Sequence, residues 1–361
     1  MKGLWWKVLA VLLMLYVVFA GLLVPLKPGI QSVEPVQLTA GQQQTITVEG
    51  YNTHFELGDN VRAWLRLGQP RAEGDEGIDT ALLSTSVQVL GQQDVALSFD
   101  VPAYLPTSDG AARASLIIDN PVDGAFVLPG AIIIKQAEAL AGPPSSQGWD
   151  AQIENLSAST GVTFPFRGLL AETIRNQYFH VSLWFALMIL MLYAAVYAVR
   201  YLISGKSEFD RRSEALTKVG LAFGMLGLVT GMVWANFTWG KPWSGDVKQN
   251  MTAIALLIYL AYFVLRASVA SDQQSSRIGA AYNIFAFAML IPLLYIIPRM
   301  RASLHPGAGG NPGFGGEDLD STMRMVFYPG IIGFTLVGVW LAQLSWRTAR
   351  LKRKIQEQLL S

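Results

Sequence analysis

Six apolar runs constrain this chain more than any other feature. The first covers residues 8–26, between Lys7 and Lys27. As a helix rising 1.5 Å per residue, such a run roughly spans a hydrocarbon core of about 30 Å. Its apolar stretch is longer than that of a secretory leader, and Pro25 and Lys27 follow without a small-x-small cleavage pattern. It therefore reads as an uncleaved anchor rather than a signal peptide. Five further spans are expected at about 181–199, 219–239, 250–265, 278–298 and 326–346. The run at 250–265 is short and should continue past its apolar stretch at one end. Pro292 should kink the run at 278–298, because proline removes an N–H from the helical ladder. Hydrophobic residues make up 52% of the chain and charged residues 15%, a balance shifted from a soluble domain toward a membrane protein.

Residues 28–140 change character. Apolar residues alternate in short runs, as in Thr45-Ile46-Thr47-Val48, Val61–Leu67, Val95–Phe99 and Ala114–Ile118. Turn residues separate them: Ala40-Gly41, Gly58-Asp59-Asn60, Asp109-Gly110 and Asp123-Gly124. Period-two alternation broken by turns predicts an antiparallel β-sandwich, immunoglobulin-like in a generic way. His54 falls in one of its polar loops and reads as a surface residue. Residues 141–163 are rich in Pro, Ser and Gly and read as a polar linker. Residues 164–177 carry a modest helical pattern that would lie along the membrane surface.

Basic residues orient the spans. The 200–218 segment holds Arg200, Lys206, Arg211, Arg212 and Lys218, and the tail holds Arg347, Arg350, Lys352, Arg353 and Lys354. Arg266 and Arg277 bracket the connection between the fourth and fifth spans. Six spans put all three segments on one side, which the positive-inside rule makes cytoplasmic. The expected fold is thus an all-α polytopic membrane protein of six transmembrane helices with an inserted extracytoplasmic all-β domain. Its parts are a first helix (1–27), the β-domain (28–140), a linker and surface helix (141–177), a five-helix bundle (178–348) and a basic cytoplasmic tail (349–361).

That topology gathers unusual residues on the outer face. The chain has three histidines, His54, His180 and His305. His180 opens the second span, and His305 lies in the outer loop 299–325. The stretch 234–246, read as a loop between two spans, adds Trp234, Trp239, Gly240, Lys241, Trp243 and Asp246. Tryptophan is common at membrane boundaries, so each ring could simply be interfacial. Two imidazoles flanking an aromatic shelf are also what a b-type haem requires, with axial nitrogen ligands and rings over the porphyrin. Lys241 and the outer-face Arg299, Arg301 and Arg324 could pair with propionates. Two histidines without a carboxylate cluster make a poor zinc site, and Asp246 suits the orienting of a loop or a histidine. The absence of cysteine excludes disulfides, thiolate metal sites and covalent haem attachment through paired cysteines. A net charge of +1 gives no reason to expect nucleic acid.

These residues resemble the cytochrome c assembly family of haem-handling membrane proteins, its haem exporter protein C branch above all. The tryptophan-rich family motif WGxxWxWD matches Trp239-Gly240-Lys241-Pro242-Trp243-Ser244-Gly245-Asp246. Thr230-Gly231-Met232-Val233-Trp234 matches TGxxW. Tyr178-Phe179-His180-Val181, Ser303-Leu304-His305 and Met323-Arg324 match the family's histidine and Met-Arg contexts, and Tyr262 and Arg266 also fit. The resemblance covers the first span and residues 170–350. It departs at Gly245, where the family has tryptophan, and in the β-domain, which reads as an insertion.

The resemblance implies a bacterial inner-membrane protein that holds non-covalent haem b through His180 and His305, with Trp234, Trp239, Gly240, Trp243 and Asp246 as platform. It implies delivery to a periplasmic haem chaperone beside ABC-type haem exporter subunits, with apocytochrome c as a further partner. A transfer component of this kind is not an enzyme. The chain has no GxxxxGK[ST] run, so ATP hydrolysis would be a partner's work. Two other readings stand beside it: a cytochrome c synthase of the same family, and a non-haem membrane receptor that uses its β-domain.

Overall fold

The computed structural model describes residues 3–68, 80–137, 143–159, 161–168, 170–305 and 319–360. Residues 306–318 of the expected loop 299–325, and residues 138–142 at the expected edge of the β-domain, lie outside these. The chain divides into two compact units, one of residues 1–24 with 172–361 and one of residues 25–171.

The first unit holds six helices: α1 (Trp5–Leu23), α2 (Asn176–Ser204), α3 (Ser207–Trp239), α4 (Val247–Ala267), α5 (Asp272–Ile291) and α6 (Ser321–Leu360). All six are long and apolar enough to cross a membrane. Several outrun their apolar cores. At 1.5 Å per residue the 33 residues of α3 reach about 50 Å, so its polar first turns continue the helix well before the apolar run begins. The basic stretch 200–218 is therefore mostly helix, broken between Ser204 and Ser207, where Gly205 takes a left-handed conformation and caps α2. The short fourth span is extended at its start, since α4 begins at Val247. Pro292 ends α5 as a regular helix, and the chain continues as a wide π turn over Pro292–Ile296 and a tight turn over Ile297–Arg299.

Helices α2 and α3 pack through a stripe of glycines. A side chain at Gly220 would meet Met191, at Gly224 Leu187, at Gly227 Trp184 and at Gly231 His180, all within 3.0 Å. The partners run backward along α2 as the glycines run forward along α3, so the two helices are antiparallel. In lipid, where no hydrophobic effect separates helix from tail, such small-residue contacts let backbones approach and maximise dispersion. The glycine spacing is the signal in the sequence, one that hydropathy alone does not register.

Polar residues tie the bundle together elsewhere. Arg266, in the last turn of α4, makes two bonds to the buried Asp210 of α3, at 2.6 and 3.0 Å, and Ser276 of α5 donates to the same carboxylate at 2.8 Å. In α6, Pro329 has no N–H to offer the carbonyl of Met325, and the Tyr16 hydroxyl of α1 donates to that oxygen at 3.1 Å. Arg175, just before α2, donates to the carbonyls of Gly21 and Val24 at 3.0 and 2.6 Å. These are orphan acceptors at the end of α1, and a cation there also suits the helix dipole. The surface helix expected over 164–177 is instead a short 3-10 turn, Ala171–Arg175, leading directly into α2.

The second unit contains two sheets. Strands β1 (Gly29–Glu34), β3 (Gln43–Tyr51), β7 (Asp94–Asp100) and β6 (Ser86–Val89) form one, in the order β1-β3-β7-β6. The other runs β2-β9-β8-β4-β5, from β2 (Gln37–Thr39), β9 (Gly124–Lys135), β8 (Ala111–Asn120), β4 (Arg62–Leu67) and β5 (Ala81–Leu83). All pairs are antiparallel except β2 with β9. Ile46, Val48, Leu97, Phe99, Leu65, Leu116, Ile118, Ile132 and Ile134 fill one shared core. The stretch expected as a linker belongs to this unit. Trp149 is buried in the same core, Asp150 bridges to Ala81, and the backbone N–H of Ser157 donates to Asp119 at 2.8 Å.

Candidate functional site

The aromatic residues do not all lie in a loop. Trp234 and Trp239 sit on the last turns of α3, which extends through Trp239 before Gly240 takes a left-handed conformation and stops it. The connection to α4 is only residues 240–246. Gln249 organises it from within α4, accepting from the Ser244 backbone N–H and hydroxyl at 2.9 and 3.0 Å and donating to the Pro242 carbonyl at 3.1 Å. Gly245 has φ +77°, with nothing within 4 Å of the position a Cβ would take. The tryptophan expected there on family grounds would find space but a strained backbone, since left-handed conformations cost an L-residue roughly 1–2 kcal/mol. Trp243 is partly exposed, and Lys241 is fully on the surface.

Asp246 is the organising carboxylate. It caps α4 by accepting from the Lys248 N–H at 2.8 Å. It also accepts from the Ser303 hydroxyl at 2.9 Å, the Leu304 N–H at 2.7 Å and Nδ1 of His305 at 2.9 Å. Burial alone would raise its pKa, but the N–H groups of Leu304 and Lys248, the His305 ring and the Ser303 hydroxyl outweigh it and hold the carboxyl below the usual range. Burial pushes the His305 pKa down, against the pull of Asp246. His305 lies against both tryptophans, tilted 30° to Trp234 at 5.9 Å and edge-on to Trp239 at 4.9 Å between ring centroids.

His180, in the second turn of α2, is held by α3. Its Nδ1 lies 3.1 Å from the Thr230 hydroxyl oxygen, and that hydroxyl has the carbonyls of Leu226 and Gly227 at 3.0 Å as acceptors for its single proton. With that proton on a carbonyl, the oxygen is the acceptor and Nδ1 the donor. Asp246, an acceptor only, fixes His305 in the same tautomer. Both imidazoles therefore carry their lone pair on Nε2, and neither Nε2 has a hydrogen-bond partner among the described residues. One segment of α3 touches both rings. Thr230 and Gly231 hold His180, and Trp234, three residues on, packs against His305. Positions i and i+3 lie on one helix face about 4.5 Å apart along the axis.

The four cations considered for propionates differ. Lys241, Arg299 and Arg301 are exposed, and Arg299 lies over the Tyr295 ring at 5.8 Å. Arg324 is partly buried, and its Nε is buried with no hydrogen-bond partner among the described residues. A solvent-inaccessible guanidinium nitrogen left unbonded fits an anionic ligand group beside it. Among the described residues, no cluster of three His, Cys, Asp or Glu could hold a bare metal ion.

The family model described as "Heme exporter protein C" matches residues 160–361. The chain belongs to the heme exporter protein C family. The match covers all of α2 to α6 and leaves the β-domain almost wholly outside. Heme exporter protein C of Bradyrhizobium diazoefficiens is 24% identical over 184 residues, 51% of this chain and 69% of that protein. Heme exporter protein C of Paracoccus denitrificans is 22% identical over 183 residues, 51% of this chain and 76% of that protein. The cytochrome c biogenesis protein CcsA of Prochlorococcus marinus subsp. pastoris matches a shorter stretch, 42% identical over 65 residues, 18% of this chain and 21% of that protein. Among solved structures, a superoxide reductase (neelaredoxin) from Ignicoccus hospitalis covers 31% of this chain and 83% of its own at 14% identity, with a TM-score of 0.20 that carries no structural likeness.

Proposed function

We propose that the helical unit binds haem b non-covalently and passes it on during cytochrome c maturation. Family membership supports a haem-handling role. The observation that carries the reading is the matched pair of imidazoles. Each has Nδ1 beside an oxygen and Nε2 without a partner among the described residues, and both rest on one stretch of α3. Histidine ligands are characteristically oriented through the second nitrogen in this way, which also raises the basicity of the first. His180 and His305 would hold the iron through Nε2. Trp234, Trp239 and Trp243 would cover the macrocycle, Gly240 would end α3 at the platform, and Asp246 would hold His305 in place. Arg324 is the best placed propionate partner, with Lys241, Arg299 and Arg301 at the surface. Haem so held would supply an iron centre with two imidazole nitrogens as its protein ligands.

The positive-inside distribution supports placing this site, and an immunoglobulin-like β-domain, on the outer face of a bacterial inner membrane, with both termini in the cytoplasm. The recipient would be a periplasmic haem chaperone, with ABC-type subunits supplying any ATP-driven step and apocytochrome c downstream. The protein then acts as a carrier and not as an enzyme. A synthase joining haem to apocytochrome c is the second reading, and the local match to a protein named for cytochrome c biogenesis favours it. Visible spectra of the detergent-purified protein, oxidised and reduced, test the primary proposal. A low-spin bis-imidazole spectrum is expected. Folded protein that takes up no haem when supplied with it would overturn the reading and favour a receptor.

A further inference from the structure

Edge strand β1 and a bare stretch of β9 frame a cavity in the β-domain. Strand β2 pairs with only Ile133–Lys135 of β9, so the earlier part of β9 is left to line it. The start of β1 and the returning segment 165–168 complete the wall, and every lining residue falls within residues 25–171. The cavity is about 410 Å³, within the range of small-molecule sites. Ile30, Val127 and Phe166 contribute apolar surface. Phe166 is fixed in place: its ring stacks on Tyr51 at 4.7 Å and fills the space a Cβ on Gly29 would need.

Lys27 and Arg167 also line the cavity, and neither has an ion-pair or hydrogen-bond partner for its charged end among the described residues. Asp123 lines it too, but its carboxylate is already committed. It is 3% exposed, accepts from the His54 backbone N–H at 2.7 Å and from the Asn120 side chain at 2.6 Å, and lies 2.9 Å from Nδ1 of His54. The two cations are thus left unanswered beside an apolar wall. That combination selects a ligand anionic at one end and apolar at the other. Chain connectivity says which kind. Lys27 stands four residues after Leu23, where α1 ends, and four residues reach at most about 14 Å. The preceding span therefore keeps Lys27 within reach of lipid headgroups, where a long cationic side chain is at home. The Lys27 N–H donates to the Phe164 carbonyl at 2.7 Å, which brings the segment bearing Arg167 to the same level. Val127, and Val162 just before Phe164, leave exposed apolar side chains of the kind an interface accepts.

We propose that this cavity receives an anionic membrane phospholipid, its phosphate between Lys27 and Arg167 and its glycerol and upper acyl chain against the apolar wall. The β-domain is then held to the membrane by a lipid as well as by its two chain ends. The site uses no residue of the haem reading, so either can fail without the other.

The test uses the full chain in detergent. It has no cysteine, so a single Val127→Cys can carry an environment-sensitive fluorophore at the cavity. Titration with dihexanoyl phosphatidylglycerol is expected to give a saturable blue shift. The same label on Val89→Cys, on β6 at the opposite edge of the β1 sheet, should not respond. Lys27→Ala/Arg167→Ala should weaken binding about 25-fold, roughly five-fold for each cation near an anionic surface. Lys27→Arg/Arg167→Lys keeps both charges and should retain most of the affinity. Dihexanoyl phosphatidylcholine, which has the same chains and no net charge, should bind at least about ten-fold more weakly. Equal response to the two lipids, an unchanged affinity in the double-alanine variant, or a matching response at position 89 would overturn the proposal. Glycerol phosphate binding as tightly as the lipid would overturn it in favour of a soluble phosphate compound.

Discussion

His180 occupies the space that a side chain at Gly231 would need. A Cβ built on Gly231 would lie 2.7 Å from Cε1 of the imidazole. The ring is rigid and its Nδ1 is tied to Thr230, so it cannot yield as a flexible chain would. Gly231→Ala is expected to lower haem affinity about ten-fold in folded protein, an effect of roughly 1.4 kcal/mol. Gly220→Ala is the control, because the atoms it meets are the flexible end of Met191. Equal haem content in the two variants would refute the ring-seating role of Gly231.

Asp246→Asn tests the carboxylate that gathers four donors. An amide presents an N–H₂ to some of those donors and leaves them buried and unpaired. Haem affinity should fall about 10- to 100-fold, the usual range for the loss of an outer partner of a ligating histidine. Titration of the variant with ferric haem measures it. An unchanged affinity would mean that Asp246 serves only to cap α4.

His180→Ala and His305→Ala, taken singly, should each convert a low-spin six-coordinate spectrum to a high-spin five-coordinate one. Together they should remove the bis-imidazole signature altogether. Low-spin haem surviving in the double variant would show that other residues supply the axial ligands.

Acid should destabilise the haem-free protein. The folded-state pKa of His305 lies below the ordinary 6.5, because burial disfavours the charged ring. The unfolded chain therefore takes up this proton first as pH falls. The stability His305 contributes is full above about pH 6.5 and is lost as pH drops through the folded-state value. Asp246 has the same sign, but only below its ordinary 3.8. The Tm should fall from pH 7 toward pH 5, and less steeply in His305→Asn. A Tm that rises on acidification in the wild type would contradict the assignment.

The Arg266–Asp210 pair should behave as structure and not as ligand. Both side chains are largely buried, at 13% and 7% exposure. Arg266 also donates to the Glu214 carboxylate at 3.3 Å, so removing Asp210 takes away its shortest bonds and the partner of Ser276 without stranding the guanidinium. Asp210→Ala should lower the Tm sharply, and an Asp210→Leu/Arg266→Met double variant should recover most of the loss. A double variant no more stable than the single one would point to a role for Arg266 outside this pair.

The six spans were legible because hydropathy reports what lipid demands. Helix ends were not, because lipid does not set them. Helix α3 starts at Ser207, twelve residues before its apolar run, and α6 continues to Leu360 on polar turns. Trp234 and Trp239 read as loop because Gly240 and Pro242 follow so closely, yet Asn236-Phe237-Thr238 carries the helix through. The strands around Thr45–Val48, Val61–Leu67, Val95–Phe99 and Ala114–Ile118 were visible in their alternation, and the structure has β3, β4, β7 and β8 there. The polar stretch after them hid its buried anchor, Trp149, among Pro, Ser and Gly. The histidines announced themselves by rarity. What orients them, Thr230, Gly231 and Asp123, emerges only from contacts between residues 50 to 69 positions apart.

Arg175 clasps the last carbonyls of α1 while standing at the threshold of α2. The points where the chain leaves the bundle and returns to it are thereby buttoned together by the bundle itself. A chain without residues 25–171, with a short turn spliced across the clasp, is expected to bring its six helices together as before.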